Sequence, residues 1–76
     1  MLFEELCGDV WHVYMLGLEY ETPARELAAK LTGMHRAVTV MRDCGVLTPE
    51  EGNIIRQFIR DCREEVRREN RNEEQA

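Results

Sequence analysis

Two Thr-Pro pairs divide the chain into three segments of helical length. Each pair, Thr22-Pro23 and Thr48-Pro49, places a hydroxyl suited to helix capping before a proline, which is favoured at the first helical position. Glu51 follows Thr48 at the spacing of a capping box, in which each side chain accepts a hydrogen bond from the other residue's backbone N–H. The chain is therefore predicted to form three helices, near residues 2–18, 23–44 and 49–70.

A glycine marks the predicted end of the second helix. Gly45 can adopt the left-handed conformation that ends a helix, and Val46 or Leu47 can then fold back onto the helix. The connections at 19–22 and 45–48 are short, so neighbouring helices are expected to run antiparallel. The predicted fold is all-α, a compact three-helix bundle.

Length and composition are typical of one small folded domain. The 76 residues are 43% apolar and 33% charged, which argues against disorder. We predict a bundle domain over residues 1–70 and a flexible charged tail over residues 71–76, because nothing apolar follows Val66 except Ala76. The formal net charge of −5 makes broad attraction to nucleic acid or anionic lipid unfavourable.

Cysteine usage favours a reducing compartment. Cys7, Cys44 and Cys62 are odd in number and have no C-x-x-C spacing, so they are expected to be free thiols in a cytoplasmic protein. Acidic residues stand near the start of the chain, where a signal peptide carries Lys or Arg. No apolar run approaches the ~20 residues of a membrane span.

The first helix has more apolar surface than one neighbour can cover. Its arc is wide enough to touch two helices, and Met15 and Leu16 lie outside it. Exposed aromatic and Met side chains are typical of protein interfaces, although the same side chains also complete imperfect cores. We therefore predict a partner-binding surface that includes Trp11, Met15 and Leu16, and association into a homodimer or larger homo-oligomer.

Arginines form a stripe along the third helix. Nine of the ten basic residues are Arg, and five of them fall within about a quarter-turn on a helical wheel. Guanidinium groups make paired hydrogen bonds to carboxylates or phosphates, so the stripe is a second candidate partner-binding surface. The alternative is a solvated face with ion pairs along the helix. The stripe consists of Arg56, Arg60, Arg63 and Arg67, and Arg71 continues it.

Residues 26–36, Glu-Leu-Ala-Ala-Lys-Leu-Thr-Gly-Met-His-Arg, resemble the core of a helix-turn-helix DNA-binding motif. The resemblance covers about residues 24–45 and implies a turn at Leu31-Thr32-Gly33 followed by a recognition helix. Apolar residues nevertheless keep one helical phase through Gly33, at Leu27, Leu31, Met34, Val38 and Met41, which favours a single helix. The sequence leaves both arrangements open.

The sequence contains no recognisable catalytic or metal-binding pattern. His12, His35 and the three cysteines have no spacing that suits zinc, and no phosphate-binding glycine loop is present. His12 is expected to face solvent, and His35 is expected to be a hydrogen-bonded residue at the edge of the core. No catalytic residue, cofactor or metal is predicted, and no membrane association.

These features favour a non-enzymatic protein-interaction module, a regulator, adaptor or inhibitor that occupies a partner's surface. By analogy, small acidic helical chains of this kind are common among accessory proteins of phages and mobile elements. The alternative is a helix-turn-helix-like DNA-binding transcriptional regulator. Nucleic acid is therefore a possible partner, but another protein is the favoured one.

Overall fold

The protein folds into three helices joined by two short turns. The structure, a computed structural model, describes the backbone of residues 1–75 and the side chains of residues 1–70. Its helices are α1 (Leu2–Glu19), α2 (Ala24–Asp43) and α3 (Pro49–Gln75). The predicted all-α three-helix bundle is confirmed. The predicted charged tail, residues 71–76, lies outside the described side chains.

The capping box and the helix-ending glycine predicted between α2 and α3 are both present in the structure. The Thr48 N–H donates to Glu51 Oε1 at 3.0 Å, and the Glu51 N–H donates to Thr48 Oγ1 at 3.1 Å, which completes the capping box. Gly45 has a φ of 84°, the left-handed conformation expected at a helix end. Leu47 folds back into the core, and its N–H donates to the carbonyl oxygen of Met41 at 3.1 Å.

The predicted cap at the start of α2 is wrong. Pro23, not Thr22, precedes the first helical residue, and no side chain caps this helix. The Thr22 N–H instead donates to the carbonyl oxygen of Gly17 at 2.9 Å, which makes Thr22 part of the turn that ends α1. Glu21 in this turn has a left-handed φ of 54°. The turn thus holds Thr22 to the end of α1, where its side chain does not cap α2.

Residues 24–43 form a single helix, so the turn implied by the helix-turn-helix resemblance is not formed. Gly33 lies within α2, and a Cβ added there would meet no atom within 4 Å. The continuous apolar phase of α2 explains this outcome, since Leu27, Leu31 and Val38 are all buried on one side of the helix.

The helices run up, down and up around one core. Arg63 of α3 contacts Thr32 of α2, and Arg42 of α2 contacts Asn53 of α3, so these two helices are antiparallel. They pack closely along most of their length, whereas α1 makes fewer contacts with either. The buried side chains form one cluster: Val10, Tyr14, Leu27, Leu31, Val38, Leu47, Ile55, Ile59, Cys62 and Val66.

Two buried glycines allow the helices to approach closely. A Cβ at Gly52 would lie 2.7 Å from the Cβ of Arg42, so the start of α3 and the end of α2 are nearly in backbone contact. A Cβ at Gly17 would lie 2.6 Å from a methyl group of Leu27, where α1 crosses α2. These two contacts set the spacing of the bundle at its opposite ends.

Candidate functional site

The arginine stripe lies on the side of α3 that borders α2. Arg56 and Arg63 are half-buried there, while Arg60 and Arg67 are exposed. The spacing of three and four residues places all four on neighbouring turns of one helix face. Arg71 lies outside the described side chains. The four arginines thus follow one face of α3 over three turns, and two of them are half-buried against the bundle.

Helix α2 contributes the other half of this surface. Arg63 Nη1 donates a hydrogen bond to Thr32 Oγ1 at 3.1 Å, across the boundary between α2 and α3. One turn further along α2 lies His35, which is half-buried among the arginines of α3. We call the group formed by Thr32, His35, Arg56, Arg60 and Arg63 the α2–α3 seam.

Three nitrogen atoms of the seam are buried without a hydrogen-bond partner among the described residues. They are His35 Nε2, Arg56 Nε and Arg63 Nε. His35 thus lies at the edge of the core as predicted, but its Nε2 lacks the hydrogen bond that was expected. An unpaired buried polar atom costs about 1–3 kcal/mol relative to a paired one, so the seam carries a local energetic cost.

Electrostatics at His35 reflect the positive charge around it. Burial is the main cause that lowers the pKa of His35 below its ordinary value of 6.5. The positive charges of Arg56, Arg60, Arg63 and Arg42 lower that pKa further. Burial and the neighbouring positive charges thus both favour the neutral form of the imidazole.

Most of these arginines form no ion pair with another described side chain. The three ion pairs formed by the described side chains are Lys30–Glu26, Arg42–Asp43 and Arg68–Glu65, and none includes a member of the stripe. Arg42 is the exception near His35, because Asp43 and Asn53 both accept hydrogen bonds from its guanidinium group. The positive charge at the seam is therefore that of α3.

Acidic side chains lie on the opposite side of α3, towards α1. Burial, followed by the negative charges of Glu69 and Glu65, raises the pKa of Tyr14 in α1 above its ordinary value of 10. Helix α1 itself has Glu4 and Glu5 in its first turn and no Lys or Arg. The chain therefore separates its charges, with an acidic side at α1 and a basic side at the seam, although the net charge is −5.

The apolar candidates on α1 are exposed but do not share one face. Trp11 is 52% exposed, Met15 43% and Leu16 37%. Trp11 stacks on Phe58 of α3, with ring centroids 6.3 Å apart, and Met15 is its neighbour one turn later. Leu16 lies about 100° further round the helix, on the flank towards α2. We call Trp11 and Met15 the apolar edge of α1.

An open groove lies at the end of the bundle where α1 turns into α2. Its volume is about 960 Å³, and the polar side chains along it include Glu21, Thr22, Arg25, Glu69 and Asn70. It lies at the far end of α2 from His35, so it is separate from the seam. The groove is lined by acidic, basic and amide side chains together, so its lining does not indicate one class of ligand.

Within the described part of the chain, no group of His, Cys, Asp and Glu side chains is arranged to hold a metal ion. Nor does any helix there combine the length and apolarity that crossing a bilayer requires. The three thiols are free: Cys62 is buried, Cys7 half-buried and Cys44 exposed.

Sequence reasoning found the arginines but missed their partners on α2. Thr32 and His35 stand at the margin of the apolar stripe of α2, at the three-residue spacing that places them one turn apart on one face. That spacing was the available signal, but only the packing of α2 on α3 shows which helix they face.

Comparisons of the chain with protein-family models, with curated protein sequences and with solved structures find no match.

Proposed function

We propose that the protein is a non-enzymatic interaction module, a regulator, adaptor or inhibitor that binds another protein through the arginine stripe. The observation that carries this proposal is a row of arginines, half-buried at Arg56 and Arg63, that makes no ion pair among the described side chains. Arginine is enriched at protein interfaces, and its planar group binds carboxylates with two parallel hydrogen bonds. The partner is expected to present a carboxylate-rich surface.

The separation of charge supports a protein partner over DNA. DNA would attract the stripe but repel the acidic side at α1 and the net charge of −5, which opposes approach along an extended phosphate backbone. A folded acidic protein needs to approach only one side of the bundle. The single helix over residues 24–43 also lacks the turn of the helix-turn-helix alternative.

A capture experiment with matched variants tests this proposal. The tagged protein is recovered from its native cell with and without nuclease, together with two double variants. Arg60→Ala/Arg67→Ala removes two exposed arginines of the stripe, and Lys30→Ala/Arg68→Ala removes the same charge elsewhere on the surface. Exposed ion pairs contribute about 0–1 kcal/mol, so both variants are expected to fold, which circular dichroism checks.

A partner protein should survive nuclease treatment, disappear with the stripe variant and persist with the control variant. Equal recovery by the two variants would show that the stripe is not the binding surface. Recovery of DNA fragments that depends on the stripe would instead favour the DNA-binding alternative. In a mobility-shift assay near physiological salt we expect negligible DNA affinity.

We also propose that two copies associate through the apolar edge of α1. Trp11 keeps half of its surface exposed beside Met15, and aromatic and Met side chains are enriched at interfaces. Light scattering at high micromolar concentration should give a dimer mass, which Trp11→Ala reduces to that of a monomer. A monomer mass for the unmodified protein would refute this association. Leu16, on the other flank, is not expected to take part.

The proposed location is the cytoplasm. Three free thiols, one of them exposed, suit a compartment that keeps cysteines reduced. Recovery of the protein in the cytoplasmic fraction of its native cell would support this location.

A further inference from the structure

We propose that the arginine stripe of one copy binds the α1–α3 face of a second copy, so that the chains associate head to tail. The α1–α3 face consists of Glu4, Trp11 and Met15 of α1 together with Phe58 and Glu65 of α3. This contact rests on the proposed function, because it names one carboxylate-rich surface that the stripe binds and places the apolar edge of α1 against it. The two surfaces are opposite in charge and comparable in length.

Helix α1 carries a carboxylate and the apolar edge on one strip of its surface. Glu4 stands seven residues before Trp11 and eleven before Met15. At 3.6 residues per turn the three side chains therefore lie within about 40° of one another around the helix. Glu4 is exposed, and Trp11 and Met15 are 52% and 43% exposed. Helix α1 contains no Lys or Arg, so this strip is acidic as well as apolar.

Helix α3 adds a second carboxylate beyond the aromatic side chains. Trp11 stacks on Phe58, and Glu65 follows Phe58 by seven residues on the same strip of α3. The negative charge of Glu65 helps to raise the pKa of Tyr14, which places Glu65 on the α1 side of α3. Because α1 and α3 run in the same direction, the two carboxylates flank the aromatic pair, each about 10 Å from it along the bundle.

The stripe fits this arrangement of acid, aromatic ring and acid. It runs about 16 Å along α3 from Arg56 to Arg67, and the two carboxylates of the α1–α3 face are about 20 Å apart, within reach of long side chains at the ends of the stripe. Arg60 is exposed between those ends, where it is placed to stack on the ring of Trp11. Glu65 has only an exposed ion pair with Arg68, a weak contact that another guanidinium group can replace.

The stripe and the α1–α3 face lie on opposite sides of the bundle. They are about half a turn apart around α3, so one molecule cannot bring its own two surfaces together. A dimer therefore keeps one free surface of each kind, and further copies add to it at higher concentration. At physiological salt the Debye length is about 8 Å, so repulsion between copies with a net charge of −5 is largely screened beyond the contact itself.

Mixing two variants tests the head-to-tail contact. Arg60→Ala/Arg67→Ala weakens the stripe and leaves the α1–α3 face intact, whereas Met15→Lys places a positive charge in that face and leaves the stripe intact. All three positions are exposed, so both variants are expected to fold, which circular dichroism checks. In light scattering each variant alone should associate about tenfold more weakly than the unmodified protein. An equimolar mixture should form a dimer and grow no further, because only one intact pair of complementary surfaces remains. Glu4→Lys, also at an exposed position, should behave as Met15→Lys does.

The control is Arg25→Ala/Lys30→Ala, which removes the same charge from exposed positions of α2 and should associate as the unmodified protein does. An equal loss in this control would indicate general ionic attraction and overturn the contact. If the stripe variant associated normally and Met15→Lys did not, two apolar edges would be meeting each other, and the head-to-tail contact would be wrong. A mixture that stayed monomeric would also overturn it. A monomer mass for the unmodified protein would refute the contact, whereas the capture experiment would still decide whether the stripe binds another protein.

Discussion

Replacing Gly52 by alanine is expected to destabilise the protein. In the structure a Cβ at this position would lie 2.7 Å from the Cβ and 2.8 Å from the Cγ of Arg42. The Cβ of Arg42 is bonded directly to the backbone of α2, so rotation of its side chain does not move it. Relief of the overlap requires α2 and α3 to separate by about 0.7 Å at this end, to reach an ordinary contact of 3.4 Å.

The magnitude follows from two opposing effects. Alanine is favoured over glycine within a helix by up to about 1 kcal/mol. Overpacking a close contact typically costs about 1–3 kcal/mol, and here the movement also strains the hydrogen bond from Arg42 to Asn53. The net effect is a loss of about 1–2 kcal/mol, and each kcal/mol lowers the Tm of a domain of this size by about 4–8 °C.

Thermal and urea unfolding followed by circular dichroism measure this change, and Gly33→Ala is the matched control. Space around Gly33 is open, so alanine there should be neutral or stabilise the protein by up to about 1 kcal/mol. The two variants make the same chemical change with opposite expected signs. If Gly52→Ala proved as stable as the unmodified protein or more so, the inferred close approach of α2 and α3 would be incorrect.

Three other changes have defined outcomes. Thr48→Ala should cost about 1 kcal/mol in urea unfolding through loss of the capping box, whereas Thr22→Ala, which removes no cap, should cost less than about 0.5 kcal/mol. Because the pKa of His35 is lowered in the folded protein, the unfolded chain binds its proton more readily, so stability should fall as pH drops through about 6.5. His35→Gln should remove that part of the pH dependence in urea unfolding, and an unchanged profile would contradict it. Iodoacetamide should modify the exposed Cys44 in the native protein and reach Cys62 only on unfolding, because Cys62 is buried and burial raises the pKa of its thiol. Mass spectrometry measures the labelling, and equal labelling of Cys44 and Cys62 in the native protein would contradict this expectation.

Local signals carried most of the fold prediction. The capping box at Thr48 and the left-handed Gly45 depend on a few adjacent residues, so their effect can be read without knowing the rest of the structure. Thr22 shows the limit of such reading. It carries the same Thr-Pro signal as Thr48, but its backbone is bonded into the turn that closes α1. Thr22 could either cap the start of α2 or close the turn after α1, and the sequence alone does not show which of the two forms.

The candidate site was only half predictable, for a physical reason. Helical periodicity places Arg56, Arg60 and Arg63 on one face, because that depends on α3 alone. The position of His35 beside them depends on the rotation of α2 about its axis and on the close contact at Gly52. Such relations between helices arise from packing of the whole core. The unpaired nitrogen atoms of the seam result from that packing, so they could not be predicted from the sequence.

The weaker packing of α1 has a consequence for synthesis on the ribosome. Of the three helices, α1 is translated first. Its buried residues Val10 and Tyr14 pack in one core cluster with Ile59 and Val66, which are translated much later. At about 5–20 residues per second, the nascent α1 waits a few seconds with its apolar side uncovered. The α2–α3 hairpin, whose contacts are close in sequence, is expected to form quickly once it is complete and then to receive α1. The first helix made is thus the last to dock, and during that interval its apolar side is open to chaperones.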